Sequence, residues 1–304
     1  MFIHKNLQQT FVAGFVLLLG CAPVFAWWPQ GHSILTEAAV KASPAELPLF
    51  FREGSGFVAH TAQDPDVLKN KGMPHITDRE APEHFFDYEM MKGRALPEKR
   101  SEFLKLCNEL KVMPSDVGYV PYSVAECTER LALAFAEHRK YPDNLYVQQK
   151  TLVYAGILSH YAEDLCMPLH VTVDHNGRAL PNGKSPKTGI HSKVDSLIEK
   201  MDFQPADLAK GQKIVPLEAL MPGIIAQIVA TRTRIDETYK LEKQLPPENG
   251  EWTASPAIKA FATERARESV RFTAALYLTA WRKSKEVQLP QWLVREANAK
   301  TPPK

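Results

Sequence analysis

The chain has 304 residues, 44% hydrophobic and 24% charged, which supplies enough apolar material for one sizeable core or two modest ones and argues against disorder or a coiled coil. A net charge of +2, from 37 basic and 35 acidic residues, gives no overall field that would by itself select nucleic acid or an anionic membrane.

At the N-terminus His4 and Lys5 precede the apolar run Phe11 to Gly20, and Val24-Phe25-Ala26 supplies small residues at cleavage-type positions. Residues 1–26 therefore read as a signal peptide, the run being shorter than the ~18 to 20 residues a spanning helix needs. A competing reading is the lipoprotein-like box Leu18-Leu19-Gly20-Cys21, atypical at Leu19, whose processing would leave Cys21 as a lipidated first residue. Either way the mature chain is expected to be exported, periplasmic or extracellular, without a transmembrane segment.

Helical periodicity dominates the rest of the chain. Apolar residues recur at helix spacing in Ser33–Ala42, Val124–Arg139, Val147–Asp164, Leu217–Lys243 and Ser255–Trp281, the last with Ser255 as cap and Pro256 in its first turn. Between them lie polar Gly- and Pro-rich connections at Asn70–Thr77, Asn176–Pro186 and Leu245–Gly250, none long enough to divide two domains. The expectation is one all-α, multi-helix domain over residues 27–299 and a disordered tail at 300–304. Cys107, Cys127 and Cys166 make no disulfide framework; Cys107 and Cys127 either pair or stay free, and Cys166 reads as a small apolar filler.

The chemistry concentrates near the middle. His160 and Asp164 are four apart, as are His191 and Asp195, so on helices each pair shares a face, and Pro168 bends the chain just before His170. Further donors occur in Trp27-Trp28-Pro29-Gln30-Gly31-His32, in Ala62-Gln63-Asp64-Pro65-Asp66, and in Glu83-His84-Phe85-Phe86-Asp87. Imidazole and carboxylate donors in such numbers suit Zn²⁺, and neighbouring divalent ions can bind a phosphate and acidify a water between them. Either Asp64 or Asp66 can be presented by a turn at Pro65. Phe85 and Phe86 read as core, Asp87 either touches ligand or substrate or caps a turn, and the isolated His60, His75, His138 and His175 are left out as surface or hydrogen-bonded residues.

With these elements in this order, the chain resembles the zinc-dependent phospholipase C and P-one nuclease superfamily, with its N-terminal tryptophan, Gly-His, Asp, His-Phe-aromatic-Asp, His-x3-Asp-x5-His and final His-x3-Asp/Glu. The resemblance covers about residues 27–195 and implies a helical fold with a trinuclear zinc cleft. It implies that Asp64, favoured over Asp66 by its Ala62-Gln63 setting, holds one zinc with His84, His160 and Asp164. Asp164 would also bridge to a second ion. His170, His191 and Asp195 would hold another zinc, and His32, Asp164 and the α-amine and carbonyl of Trp27 the remaining one. That last site requires cleavage between Ala26 and Trp27. Asp164 and Asp64 are the catalytic candidates, and the implied reaction is attack of a zinc-bound hydroxide on a phosphodiester.

The substrate divides the family into enzymes of single-stranded nucleic acid or 3′-nucleotides and enzymes of phospholipids. The short Trp27 to His32 spacing and Asp195 as last ligand favour a nuclease; Gly189-Ile190-His191-Ser192-Lys193 and the missing Gly-Gly-Asn between His170 and His191 favour a phospholipase C. A stacking shelf would support the first, an apolar rim round the cleft the second. The reading from another class is a zinc-stabilised helical binding protein without catalysis. No protein partner is implied.

Overall fold

A computed structural model describes residues 28–181, 184–247 and 250–296. The expected signal peptide, Cys21, Trp27 and the tail at 300–304 lie outside the described residues.

The centre of the fold is an antiparallel pair, α5 (Val120–Lys140) and α6 (Leu145–Cys166), for which α1 (Pro29–Ala42) and α10 (Pro256–Lys283) supply the neighbouring layers. Between α1 and α5 come short helices, of which α2 (Ser55–Thr61), α3 (Asp64–Leu68) and α4 (Pro74–Glu80) matter most for the site; after α6 come α7 (Ile190–Asp195), α8 (Leu220–Arg232) and α9 (Ile235–Lys240). Among the described residues there is no strand, only an isolated bridge between His175 and Gly177. The fold is a single helical domain, as the periodicity predicts. No helix among the described residues is long and apolar enough to cross a membrane.

Local chemistry sets the helix ends. Asn144 caps α6 by accepting from the backbone N–H groups of Tyr146 and Val147, and Ser255 caps α10 by accepting from Ile258, with Pro256 opening the helix. The continuous helix expected over Leu217–Lys243 is two helices. The first begins only at Leu220, after Ala219 in extended backbone, and Leu217 N–H ahead of it donates to Thr279 Oγ1 at 2.8 Å. The expected span breaks where Thr233 and Arg234 donate three residues back, to Ala230 and Thr231, and the Thr233 hydroxyl also takes the Ala230 carbonyl at 2.7 Å.

One core runs from Leu35 on α1 through Phe135 on α5 and Leu158 on α6 to Tyr277 on α10. The C-terminal third therefore closes the bundle and adds no second core. Cys107, Cys127 and Cys166 are all buried and free, so the possible Cys107–Cys127 pair does not form. Burial pushes the Cys127 and Cys166 thiols up to about 12, which suits inert packing residues.

Gly156 is the close approach that places α2 against α6. A Cβ at this position would lie 2.0 Å from Thr61 Oγ1 and 2.6 Å from the Val58 carbonyl. One helical turn further on, His160 Nδ1 donates to the Ala62 carbonyl at 2.7 Å, so the spacing set at Gly156 also sets where α3 begins. Gly→Ala inside a helix normally stabilises by about 1 kcal/mol. Here the sign should reverse: Gly156→Ala should cost roughly 1–3 kcal/mol, read as a lower urea midpoint at unchanged slope.

Candidate metal centre

His160 and Asp164 face the same side of α6, fully buried. Cys166 ends the helix, Met167 N–H donates back to the Asp164 carbonyl, and Pro168 starts a single 3-10 turn that carries His170 under the same space. His84 arrives from a 3-10 turn, Ala81–His84, and is locked to that region by a reciprocal pair: Phe86 N–H donates to the His170 carbonyl and His170 Nδ1 to the His84 carbonyl, both 2.8 Å. His191 and Asp195 share a face of α7, whose first turn is set by Gly189 at φ 82° with its N–H held by Asn176 Oδ1 at 2.7 Å. His32 comes from the first turns of α1.

These residues form three buried sets whose donor atoms lie within 4.8 Å of one another: His32, His160 and Asp164; Asp66, His84 and His160; and His170, His191 and Asp195. Asp164 stands between them. One oxygen lies 3.5 Å from His32 Nε2 and from His170 Nδ1; the other lies 3.0 Å from His84 Nδ1 and 3.4 Å from His160 Nε2.

The outer nitrogens show what the inner ones must be. His160 Nδ1 faces the Ala62 carbonyl, His170 Nδ1 the His84 carbonyl and His191 Nδ1 the His175 carbonyl at 3.1 Å. A carbonyl only accepts, so each of these Nδ1 atoms carries the proton and each Nε2 is a bare lone pair. His170 Nε2 and His191 Nε2 nevertheless face each other at 3.1 Å, and His191 Nε2 also faces Asp195 Oδ2 at 3.2 Å. These three acceptor atoms can be joined only by a proton held on Asp195, whose carboxyl burial pushes well above its usual range, or by a bound cation. Asp195 is fully buried and neither of its oxygens receives a hydrogen bond from a described residue; the same holds for Asp164 Oδ1 and His32 Nε2. Such groups cost several kcal/mol unless a cation joins them. Two ligand atoms of one tetrahedral ion with bonds of about 2.0–2.1 Å lie roughly 3.3 Å apart, close to the spacing seen here. The donor sets therefore fit metal ions.

The electrostatics agree. Burial opposes the Asp164 charge, but the His170 and His160 imidazoles outweigh it and hold the carboxyl well below its usual range. Asp195, buried and beside Asp164, is pushed well above its own. Burial also drives His32 and His191 well below the usual imidazole value, favouring the neutral ring that a metal donor must be, whereas at His160 burial is outweighed by Asp164 and Asp66, which raise it.

The sequence favours Asp64 as the acid of this centre; the structure puts Asp66 there. Asp64 opens α3 half-exposed with Pro65 in the first turn, and two residues of helix rotate the chain by about 200°, so only one of the two acids can face α6. Asp66 is the buried one, its Oδ1 3.7 Å from His160 Nε2 and 2.5 Å from Lys69 Nζ. Of the two acids between which the sequence left the choice, the structure brings Asp66, not the favoured Asp64, into the buried set with His84 and His160. His32, His84, His160, Asp164, His170, His191 and Asp195 all come together as expected.

Beside the centre opens a cavity of about 280 Å³ lined by His84, His170 and His191 together with Lys69, Ala81, Phe85, Asp87, Leu169 and His175. Phe86 is core, but Phe85 is a cleft wall, so the expectation is met for only one of the two. His175 also lines the cleft; isolation in sequence gave no sign of it, because its loop is brought in by pairing with His191. His138 packs on Phe50 with ring centroids 4.5 Å apart, and His60 and His75 are exposed. Two acids gave no sequence signal at all: Glu163, which binds His32 Nδ1 at 2.8 Å, and Glu80, which accepts from Tyr161 and lies 3.5 Å from His84 Nε2. A third, Glu199, accepts the Gln30 N–H at 3.0 Å and so anchors the start of α1.

Asp87 is pushed up to about 7, first by burial and then by Glu89 and Asp116. No protein-family model and no curated protein matches the chain.

These geometries have two measurable consequences. Divalent metal should raise the melting temperature and a strong chelator should lower it, each by several degrees; a melting temperature indifferent to both would contradict the assignment. The folded chain keeps the Asp87 proton up to about pH 7, whereas the unfolded chain releases it near the ordinary 3.8, so this group's contribution to stability is lost as pH rises between those values. Asp87→Asn should therefore gain on the parent protein by on the order of 1–2 kcal/mol between pH 5 and 8, read from urea titrations at both pH values.

Proposed function

We propose that this chain is an exported zinc-dependent phosphoesterase that hydrolyses phosphodiester bonds, of the phospholipase C and P-one nuclease type, with single-stranded nucleic acid or a 3′-nucleotide as its substrate. The observation that carries the proposal is three buried donor sets gathered round Asp164, which belongs to one of them, beside an open cleft lined by His84, His170 and His191. A structural zinc is usually closed by four protein ligands, whereas His170, His191 and Asp195 offer three and leave a position open toward the cavity, which argues against a purely structural role.

The donors are imidazole and carboxylate without thiolate, a set suited to zinc. Asp66, His84, His160 and Asp164 would hold one ion, His170, His191 and Asp195 a second, and His32, Asp164 and the Trp27 α-amine and carbonyl a third, provided cleavage frees that amine. Bound zinc supplies Lewis acidity that offsets charge on phosphate oxygens and brings a water to hydroxide near neutral pH. The chain's own residues do the rest. Asp164 holds adjacent sites in register through its two oxygens. Lys69, at the cleft, adds a cation on the side where phosphate charge arrives, while its contact with Asp66 steadies that ligand. Phe85 offers a flat apolar wall for a base, and Asp87, protonated up to about pH 7, can donate a hydrogen bond to a substrate acceptor.

A phospholipid substrate is the second reading, favoured by one observation. The segment joining Asp66 to the cleft carries exposed Val67, Leu68, Met73 and Ile76, the apolar rim that adsorption to a lipid surface needs.

Parallel assays of the zinc-loaded protein on single-stranded DNA, RNA and phosphatidylcholine test both readings. Turnover of nucleic acid is expected, with Asp164→Asn lowering kcat at least ~100-fold in a protein that still folds. Turnover of lipid alone would transfer the assignment to the second reading, and no turnover of any phosphodiester would sink both.

A further inference from the structure

On α6, Glu163 precedes Asp164, so the two carboxylates leave the helix about 100° apart. Asp164 turns to the metal centre and Glu163 turns to α1, where it is fully buried. There Oε2 lies 2.8 Å from His32 Nδ1 and Oε1 accepts the Thr36 hydroxyl at 2.8 Å. His32 and Thr36 are one helical turn apart on α1 and so present both donors on one face.

This arrangement has a chemical consequence at the far side of the ring. Burial pushes the Glu163 carboxyl well above its usual range, so a metal at Nε2 is what would hold it ionised; its other oxygen is occupied by the Thr36 hydroxyl, and an ionised carboxylate accepts only, so the His32 proton would then sit on Nδ1 and leave Nε2 bare. That bare Nε2 is the atom 3.5 Å from Asp164 Oδ1 and without a hydrogen bond from a described residue. His160, His170 and His191 use neutral backbone carbonyls for the same purpose. His32 uses a carboxylate, which strengthens the ring as a donor far more than a carbonyl does.

We propose that Glu163 is the positioning residue of the His32 metal site, fixing the tautomer and direction of that ring and setting the affinity of that site above what a carbonyl-held ring would give. The inference rests on the metal-centre reading above. The competing account is a plain polar tie between α6 and α1, and glutamine separates the two. Glu163→Gln keeps the shape, can accept from His32 through its amide oxygen and can donate to the Thr36 oxygen; what it loses is charge.

The test is metal affinity site by site, by competition of zinc against a chromophoric chelator, with the visible spectrum of the cobalt-substituted protein as a readout that a mere tie would not move. Glu163→Gln is expected to fold with the parent's circular dichroism, to lose roughly 10- to 100-fold in affinity for one ion only, and to shift the cobalt bands of that ion. Thr36→Val, which leaves the charge and frees one oxygen, is expected to change the affinity of the same ion several-fold and to shift the same bands. Parent-like affinities and cobalt spectra in Glu163→Gln would overturn the proposal; should that variant fail to fold, parent-like values in Thr36→Val would overturn it. A parent protein that binds no metal would instead defeat the metal-centre reading itself, which keeps the two failures apart.

Discussion

His170 Nε2 and His191 Nε2 face each other across 3.1 Å, and each is bare because its ring spends its only proton on a backbone carbonyl. Two lone pairs with the buried Asp195 carboxyl beside them, at the wall of the cleft, are three acceptors that the single proton Asp195 can hold does not satisfy and that a cation does. Much of the surrounding structure serves to hold these groups in that arrangement. The reciprocal bonds between His84–Phe86 and His170, the turn at Pro168 and the Asn176 clasp on Gly189 each fix one donor from a different part of the chain.

The bundle supplies the rigidity. The α6 helix passes through the middle of the domain, buried over its second half, so His160 and Asp164 are placed by core packing rather than by a loop. Gly156 lets α2 come close enough to bring in Asp66, and Glu163 ties α6 to the first turns of α1. The long C-terminal helix α10 packs on α1, α5 and α6 and contributes core residues, none of them to the metal sets. Sites built on helices in this way hold their donors at fixed spacing, whereas the cleft residues Lys69, Phe85 and His175 come from turns and have more freedom to adjust to a substrate.

Much of this was legible in the sequence because helix periodicity is a strong signal. The long helices α1, α5, α6 and α10 follow from their apolar spacing and caps, and the paired positions His160/Asp164 and His191/Asp195 follow from four-residue spacing. The short helices between Leu49 and Glu80 left no such signal, since five to seven residues carry too little periodicity. That is where the choice between Asp64 and Asp66 lies: a one-turn helix opened by Asp64 with Pro65 behind it decides which acid faces inward, and no pattern in the sequence encodes it. The break at Thr233 was missed because it depends on a side-chain hydroxyl competing for a backbone carbonyl. Glu163 was missed because an acid next to a ligand looks like a solvated helix position until α1 is packed over it, and His175 because its place is set by pairing across a loop.

The central claim is that the converging lone pairs enclose metal, and anomalous diffraction from crystals of the protein at the zinc absorption edge tests it most directly. The account predicts a strong anomalous peak bonded to His170 Nε2, His191 Nε2 and Asp195, with further peaks bonded to Asp164. Histidine rings that turn away from one another, with hydrogen-bonded waters and no anomalous signal in a crystal grown with zinc, would contradict it.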